Sequence, residues 1–176
     1  MPGGSILTTE QRRFLADARS ATLATLATSG RPRLVPICFV VGADDASGRP
    51  RLYSPLDEKP KRTDDPRELA RVRDLLARPD ASLLVDRWSE DWSRLGWLRL
   101  DGRGDLLEPE EDLASNADDR EEHAIAVAAL RNKYSQYATH ALETRPIIRL
   151  TIDRAASWGD LSTIGPAAEP AARRPR

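Results

Sequence analysis

Apolar and polar positions change their spacing several times along the chain, and each change marks an element. Over residues 8–18, Phe14, Leu15 and Ala18 fall on one side of a helix, and Thr8 with Gln11 makes a capping-box pair at its start. Residues 21–28 are rich in Thr and Leu and end in Ser29-Gly30, and residues 33–41 then bring Val35, Ile37, Cys38, Phe39, Val40 and Val41. Two β-prone runs joined through Ser-Gly predict a hairpin. Pro36 lies inside the second run. Proline has no N–H to give a ladder, so this point is expected at a bulge or a sheet edge.

Residues 51–54 predict a third short strand. Asp65 then caps a helix with Pro66 in its first turn and Glu68 three residues after the cap. Leu69, Val72 and Leu76 recur at helical spacing, which predicts the buried face, and Pro79 ends the element. Residues 81–88 and 95–103 read as two further strands. In the second, Trp97, Arg99 and Asp101 alternate with Leu98 and Leu100, the pattern of a strand with one wet face. Gly102 and Gly104 predict a bend or bulge before residues 105–108 continue the sheet. Residues 110–134 read as mostly helical with an interruption at Ser115-Asn116, and residues 145–152 as a last strand.

Six or seven short strands with two or three interspersed helices predict one α+β domain, over residues 6–160, built on an antiparallel barrel. The short connections exclude a doubly wound parallel sheet, which needs long crossovers. Residues 161–176, rich in Pro, Ala and Arg, are expected to be a disordered tail.

Composition narrows the functional classes. The 176 residues are 40% hydrophobic and 31% charged, as in a soluble globular protein, and 27 basic residues against 28 acidic ones leave no basic field for nucleic acid. No apolar run approaches the roughly 20 residues that span a bilayer. The first residues lack a signal-peptide profile, so a cytoplasmic protein is expected. Cys38 is the only cysteine, and with His123 and His140 far from it in sequence no metal set can be assembled. Both histidines are expected at the surface. There is no G-x-G-x-x-G after a strand, no Walker loop, no G-x-S-x-G and no H-E-x-x-H, so the reactive group of any enzyme activity is expected on a cofactor.

The candidate chemistry lies in one loop. Only three basic residues are lysines, and two of them, Lys59 and Lys61, stand beside Arg62 around the stiffening Pro60. Three cations in four residues are either solvated and neutralised by Asp57, Glu58, Asp64 and Asp65, or they grip an anion through charge-assisted hydrogen bonds. Four of the nine aromatic residues are tryptophans: Trp88, Trp92, Trp97 and Trp158. They read as core or interface residues, or as a platform for a planar ligand.

Together these residues carry a resemblance. The run Ala21-Thr22-Leu23-Ala24-Thr25-Leu26, then Gly30-Arg31-Pro32 and Val35-Pro36-Ile37-Cys38-Phe39, resembles the opening hairpin of the pyridoxamine 5'-phosphate oxidase-like split barrels. Asp57-Glu58-Lys59-Pro60-Lys61-Arg62, Leu83-Leu84-Val85-Asp86-Arg87 and Asp91-Trp92-Ser93-Arg94-Leu95 resemble the branch of that family described as F420-dependent enzymes. The resemblance covers residues 8–160. It implies a six-stranded split β-barrel and a homodimer with two cofactor sites at its interface. It also implies an oxidoreductase transferring a hydride between coenzyme F420 and a small organic substrate. By the same resemblance Lys59, Lys61 and Arg62 hold the cofactor phosphate, Tyr53 and Ser54 lie nearby, and Val35, Pro36, Ile37 and Cys38 line the planar ring, largely through backbone atoms. FMN-using members usually carry a basic residue near the end of the second strand, where this chain has Cys38, although Arg33 remains at that strand's start. F420 is therefore favoured over FMN. A non-catalytic dimer that stores a cofactor or haem is the remaining alternative.

Overall fold

The computed structural model describes residues 5–56, 65–109 and 116–162. Seven strands, β1 (Ala21–Leu26), β2 (Pro32–Ile37), β3 (Val40–Val41), β4 (Arg51–Pro55), β5 (Asp80–Arg87), β6 (Gly96–Leu107) and β7 (Ile147–Gly159), form one sheet. Three helices flank it: α1 (Thr9–Asp17), α2 (Ala70–Ala77) and α3 (Ala117–Lys133). The strand order is β2-β1-β5-β6-β7-β4-β3, with every neighbouring pair antiparallel. The α+β class and the split-barrel architecture are as expected, with seven strands in place of six.

The extra strand comes from the run 33–41, which does not form a single element. β2 pairs with β1, Ile37 opposite Ala21, but Val40 and Val41 pair with Tyr53 and Leu52 of β4. β2 and β3 are thus the two outer edges of the sheet, yet only Cys38 and Phe39 separate them in the chain. Three Cα steps span at most about 11 Å. The sheet must therefore curl until its edges meet, leaving an unpaired seam at Cys38-Phe39. Pro36 sits on the edge strand, as its missing N–H requires.

Alternation fills the barrel. Ala21, Leu23 and Thr25 point inward while Thr22, Ala24 and Leu26 face outward, and on β6 Leu98 and Leu100 are buried beside half-exposed Trp97 and exposed Arg99. Phe14 and Leu15 of α1, fully covered, plug the interior against Leu23, Phe39, Leu83 and Ile148. α1 begins at its expected capping box, in which Thr8 Oγ1 accepts from the Gln11 N–H and Gln11 Oε1 from the Thr8 N–H.

Three expectations are corrected. Leu76 is 62% exposed, and Val72, Asp74 and Leu75 are the buried residues of α2. Asp65 caps a separate 3-10 turn, Pro66–Glu68, so the α-helical phase starts only at Ala70 and the inward face rotates by one residue. His123 is buried rather than at the surface, its Nε2 2.8 Å from the Arg145 carbonyl oxygen, which ties α3 to the entry of β7. No tryptophan belongs to the core: Trp88, Trp92 and Trp158 are 70%, 81% and 57% exposed and Trp97 is half-buried. α3 starts at Ala117 with Asn116 as its cap, while the expected helical stretch before it and the expected tail beyond Ser162 lie outside the described residues.

The expected bend in β6 is present, as a register shift against β7 between Asp101 and Gly102. A Cβ at Gly102 would lie 2.1 Å from the Thr151 carbonyl oxygen, so no side chain fits without moving the neighbouring strand. Gly102→Ala is expected to destabilise the fold by about 2–3 kcal/mol through backbone overpacking, read as a lower urea midpoint at unchanged slope. A midpoint equal to the parent's would show that β7 yields freely there.

Candidate functional site

The seam brings together residues that the sequence holds apart. Cys38 and Phe39 leave one ladder before the next begins, so the Phe39 backbone groups need partners from elsewhere. Tyr134, just past the end of α3, supplies them. Its hydroxyl accepts from the Phe39 N–H at 3.0 Å, and its single proton can go to the carbonyl of Phe39 at 2.8 Å or of Arg19 at 3.0 Å. One phenol therefore locks both sheet edges to α3 and to the link between α1 and β1. Burial is the main cause that raises the Tyr134 pKa above its ordinary value, keeping the hydroxyl a donor.

On β2 the side chains of Val35 and Ile37 turn inward, half-buried and buried, while Pro36 is exposed. A planar group against this strand would therefore meet its backbone edge and Pro36 rather than four side chains in a row. Cys38 is half-buried, its sulfur 3.8 Å from Gln136 Nε2. Because Val40 lies opposite Tyr53, Tyr53 and Ser54 come beside the seam, both buried. The Tyr53 hydroxyl donates to Glu122 Oε1 at 2.5 Å, and Glu122 Oε2 accepts from Arg51 and Arg149 at 2.8 Å each. Arg149 also donates to Asp105 at 2.7 Å and to Asp119 at 2.8 Å. Burial, followed by the hydrogen bond to Glu122, holds the Tyr53 phenol well above its usual range. Lys59, Lys61 and Arg62 lie outside the described residues. The described residues on either side of their segment are buried Leu56 and Asp65, the cap of the 3-10 turn.

Two cations at the seam carry no signal in the sequence. The Lys133 ammonium lies 4.4 Å from the Phe39 ring centroid and 5.6 Å from that of Tyr134, and donates to the Leu15 carbonyl at 3.4 Å. Arg19 stacks 4.6 Å from the same Tyr134 ring and donates to the Lys133 carbonyl at 2.5 Å. Burial, then the Arg19 charge, lowers Lys133 to about 8, against weaker opposing effects of Cys38 and Asp17. As the third lysine in a helix's last turn, Lys133 has the sequence signature of an ordinary partner to the helix dipole.

A groove of about 450 Å³ opens elsewhere, on the outer face of the sheet near Leu26 and Pro32. Asp80, Asp101 and Asp153 line it, and β2 places Pro32 at the opposite end of the strand from the seam. Each of these carboxylates is paired with an arginine, Asp80 with Arg103, Asp101 with Arg99 and Asp153 with Arg49, so the groove presents matched charges and differs chemically from the cationic seam.

A curled antiparallel sheet closed at a kinked strand, with helices plugging its ends, defines the split-barrel class. The model of the family described as pyridoxamine 5'-phosphate oxidase matches residues 7–159, and the chain belongs to that family. Among curated proteins, none matches. Solved structures share the fold at low identity. An F420 reductase is 16% identical, with 89% of this chain and 98% of that chain covered and a TM-score of 0.53. An FAD-binding protein from Mesorhizobium loti is 21% identical, with 86% and 92% covered and a TM-score of 0.53. A heme binding protein from Mycobacterium smegmatis is 22% identical at a TM-score of 0.57, with 89% of this chain covered but only 54% of that longer one.

The lowered Lys133 pKa has a consequence for stability. Between about pH 8 and the ordinary lysine value of 10.5 the unfolded chain binds the proton that the folded chain has released, so stability rises with pH across that window. Below it both states are protonated and the folded state carries the full cost of a half-buried cation. Lys133→Met is therefore expected to be more stable than the parent at pH 7, with the difference shrinking toward pH 10.5. Urea midpoints of both proteins across this range test it, and a parallel pair of curves would place the ammonium in full solvation.

Proposed function

We propose that this protein is an oxidoreductase that transfers a hydride between coenzyme F420 and a small organic substrate, and that it works in the cytoplasm as a homodimer. The observation that carries this reading is the edge strand β2, paired with β1 on one side only, running into the seam at Cys38, with Tyr53 opposite Val40 just beyond it. Peptide N–H and C=O groups on an open strand edge suit the hydrogen-bonding rim of a flat heterocycle, and the cations around the seam suit an anionic one. The fold shared with an F420 reductase supports the same choice.

When bound, the deazaflavin supplies a hydride carrier that resists one-electron reaction with oxygen. The chain's part is to bind and orient. Val35, Pro36, Ile37 and Cys38 present the edge against which the ring lies, and Tyr53 and Ser54 border it. Lys59, Lys61 and Arg62 hold the phosphate, each charge-assisted bond contributing about 1.5–3 kcal/mol. With its hydroxyl committed to Glu122, Tyr53 shapes the site rather than moving a proton. FMN on the same strand edge is the second reading, favoured by the fold shared with an FAD-binding protein. A cofactor-storing dimer without turnover is the third, and the fold shared with a heme binding protein favours it.

The dimer reading rests on the outer sheet face. Leu34, Leu84 and Trp158 are 67%, 38% and 57% exposed there, and Trp97 lies directly opposite Trp158 across the β6–β7 ladder. Apolar surface of this kind is stabilised when a second copy covers it. Sedimentation is expected to show a dimer at micromolar concentration, and a monomer would remove the shared-site arrangement. Titration with F420, followed by tryptophan quenching, is expected to show binding that Lys59→Ala with Lys61→Ala weakens by about tenfold or more. Unchanged affinity in the double variant would defeat the phosphate role of the loop, and a protein that purifies yellow with FMN would move the assignment to the second reading.

A further inference from the structure

Partly buried cations in this chain are, as a rule, matched to acids. Arg87 lies 2.7 Å from Asp160, Arg51 2.8 Å from Glu122, and Arg149 2.7 Å from Asp105. Lys133 breaks the rule. Among the described residues neither it nor Arg19 has a carboxylate within ion-pairing distance, although both are held at the seam. Lys133 is fixed by the Phe39 ring and the Leu15 carbonyl, and Arg19 by the Tyr134 ring and the Lys133 carbonyl. The two side chains share one aromatic neighbour, Tyr134, and one backbone contact, which places two like charges beside the same ring.

From this geometry we propose that Arg19 and Lys133 form an oxyanion-binding site at the barrel seam, taking one carboxylate or phosphate group beside Cys38. The remaining N–H groups of the guanidinium and ammonium are the donors, and Gln136, whose amide lies 3.8 Å from the Cys38 sulfur, stands at the rim. An oxyanion placed between two like charges removes the repulsion that the folded chain otherwise maintains, and charge-assisted hydrogen bonds replace lost hydration. The charged and titratable groups acting on Lys133 are Arg19, Asp17, Cys38 and the Tyr134 phenol beside it, and Asp17 has the smallest effect. That weak carboxylate leaves the place open to an external anion. The lowering of Lys133 to about 8 agrees with a cation that lacks its counter-ion.

The site needs none of the loop cations Lys59, Lys61 and Arg62, and its existence does not depend on which redox cofactor the protein uses. The anion has two possible sources: a free carboxylate or phosphate compound, or an acidic group of the cofactor itself. Carbon-13 NMR of the lysine ε-methylenes resolves them, because the chain has only three lysines and Lys133→Met identifies the signal. The midpoint of Lys133 is measured in chloride and in inorganic phosphate at equal ionic strength, which separates binding from screening. Phosphate is expected to raise the midpoint by about one pH unit over chloride, and Arg19→Gln to abolish that rise while Lys133 still titrates.

A second arm repeats the titration with F420 in place of phosphate. A rise that phosphate competes away assigns the anion to the cofactor. If F420 binds, by tryptophan quenching, without moving Lys133, the anion belongs to a separate ligand. Equal midpoints in phosphate and chloride would overturn the site, as would a phosphate response that survives Arg19→Gln. Because Arg19 is exposed, its variant keeps the test valid if Lys133→Met fails to fold.

Discussion

The kink at Cys38-Phe39 is the constraint from which the rest of this structure follows. A single β-prone run supplies both edges of the sheet, and two residues between them leave the barrel no option but to curl shut. The cost of such a kink is a pair of backbone groups with no ladder to join. Tyr134 meets that cost with one hydroxyl, and in doing so fixes the end of α3 at the seam. The presence of Lys133 there is a by-product of the lock, since it is the residue before Tyr134. Structure and candidate chemistry thus share a cause: closing the barrel requires the helix end that brings the cation.

A second network works on the opposite flank of the same junction. Glu122 takes the Tyr53 hydroxyl and both Arg51 and Arg149, binding α3 to β4 and β7. Ions this sheltered are stabilising only when their polar atoms find partners; three carboxylates surround Arg149, while the buried Arg51 Nε has no hydrogen-bond partner among the described residues. The contrast with Lys133 is informative. The chain can surround a half-buried cation with acids, whereas Lys133, also half-buried, has no carboxylate within ion-pairing distance among the described residues.

Much of the architecture was legible in local chemistry. Thr8 with Gln11 announced a helix start, the alternation of Leu98 and Leu100 with Trp97 and Arg99 announced a one-sided strand, and Pro36 announced an edge. Those signals are local because the groups involved act on neighbours within a few residues. What escaped depended on contacts distant in sequence. Nothing in Val35–Val41 says that the partner changes between Ile37 and Val40, because both halves are equally β-prone and the change is set by β4. His123 reads as a surface residue until the Arg145 carbonyl is brought to its Nε2. Leu75 replaced Leu76 because a 3-10 turn shifted the helical phase, and periodicity counted from Leu69 misses such a shift. The site divides in the same way. Val35, Pro36, Ile37 and Cys38 are contiguous and legible through family resemblance, and Tyr53 pairs with Val40 just beyond them, whereas the proximity of Arg19 and Lys133, 114 residues apart, has no sequence signal.

The two ends of the outer sheet face have opposite characters, and this limits where an anionic, flat molecule can rest. At the Leu26–Pro32 end three aspartates line the groove, and at the other end β5 and β6 lead to Trp88, Trp92 and Trp97. The acidic groove, of about 450 Å³, has room for a small ligand. Charge argues against an anionic one, because each aspartate there is already paired with an arginine, Asp80 with Arg103, Asp101 with Arg99 and Asp153 with Arg49, so a phosphate would compete with carboxylates for cations that are already matched. The seam offers the opposite condition, because Lys133 and Arg19 sit beside the Tyr134 ring with no carboxylate within ion-pairing distance among the described residues, and an anion there meets cations still without a counter-ion.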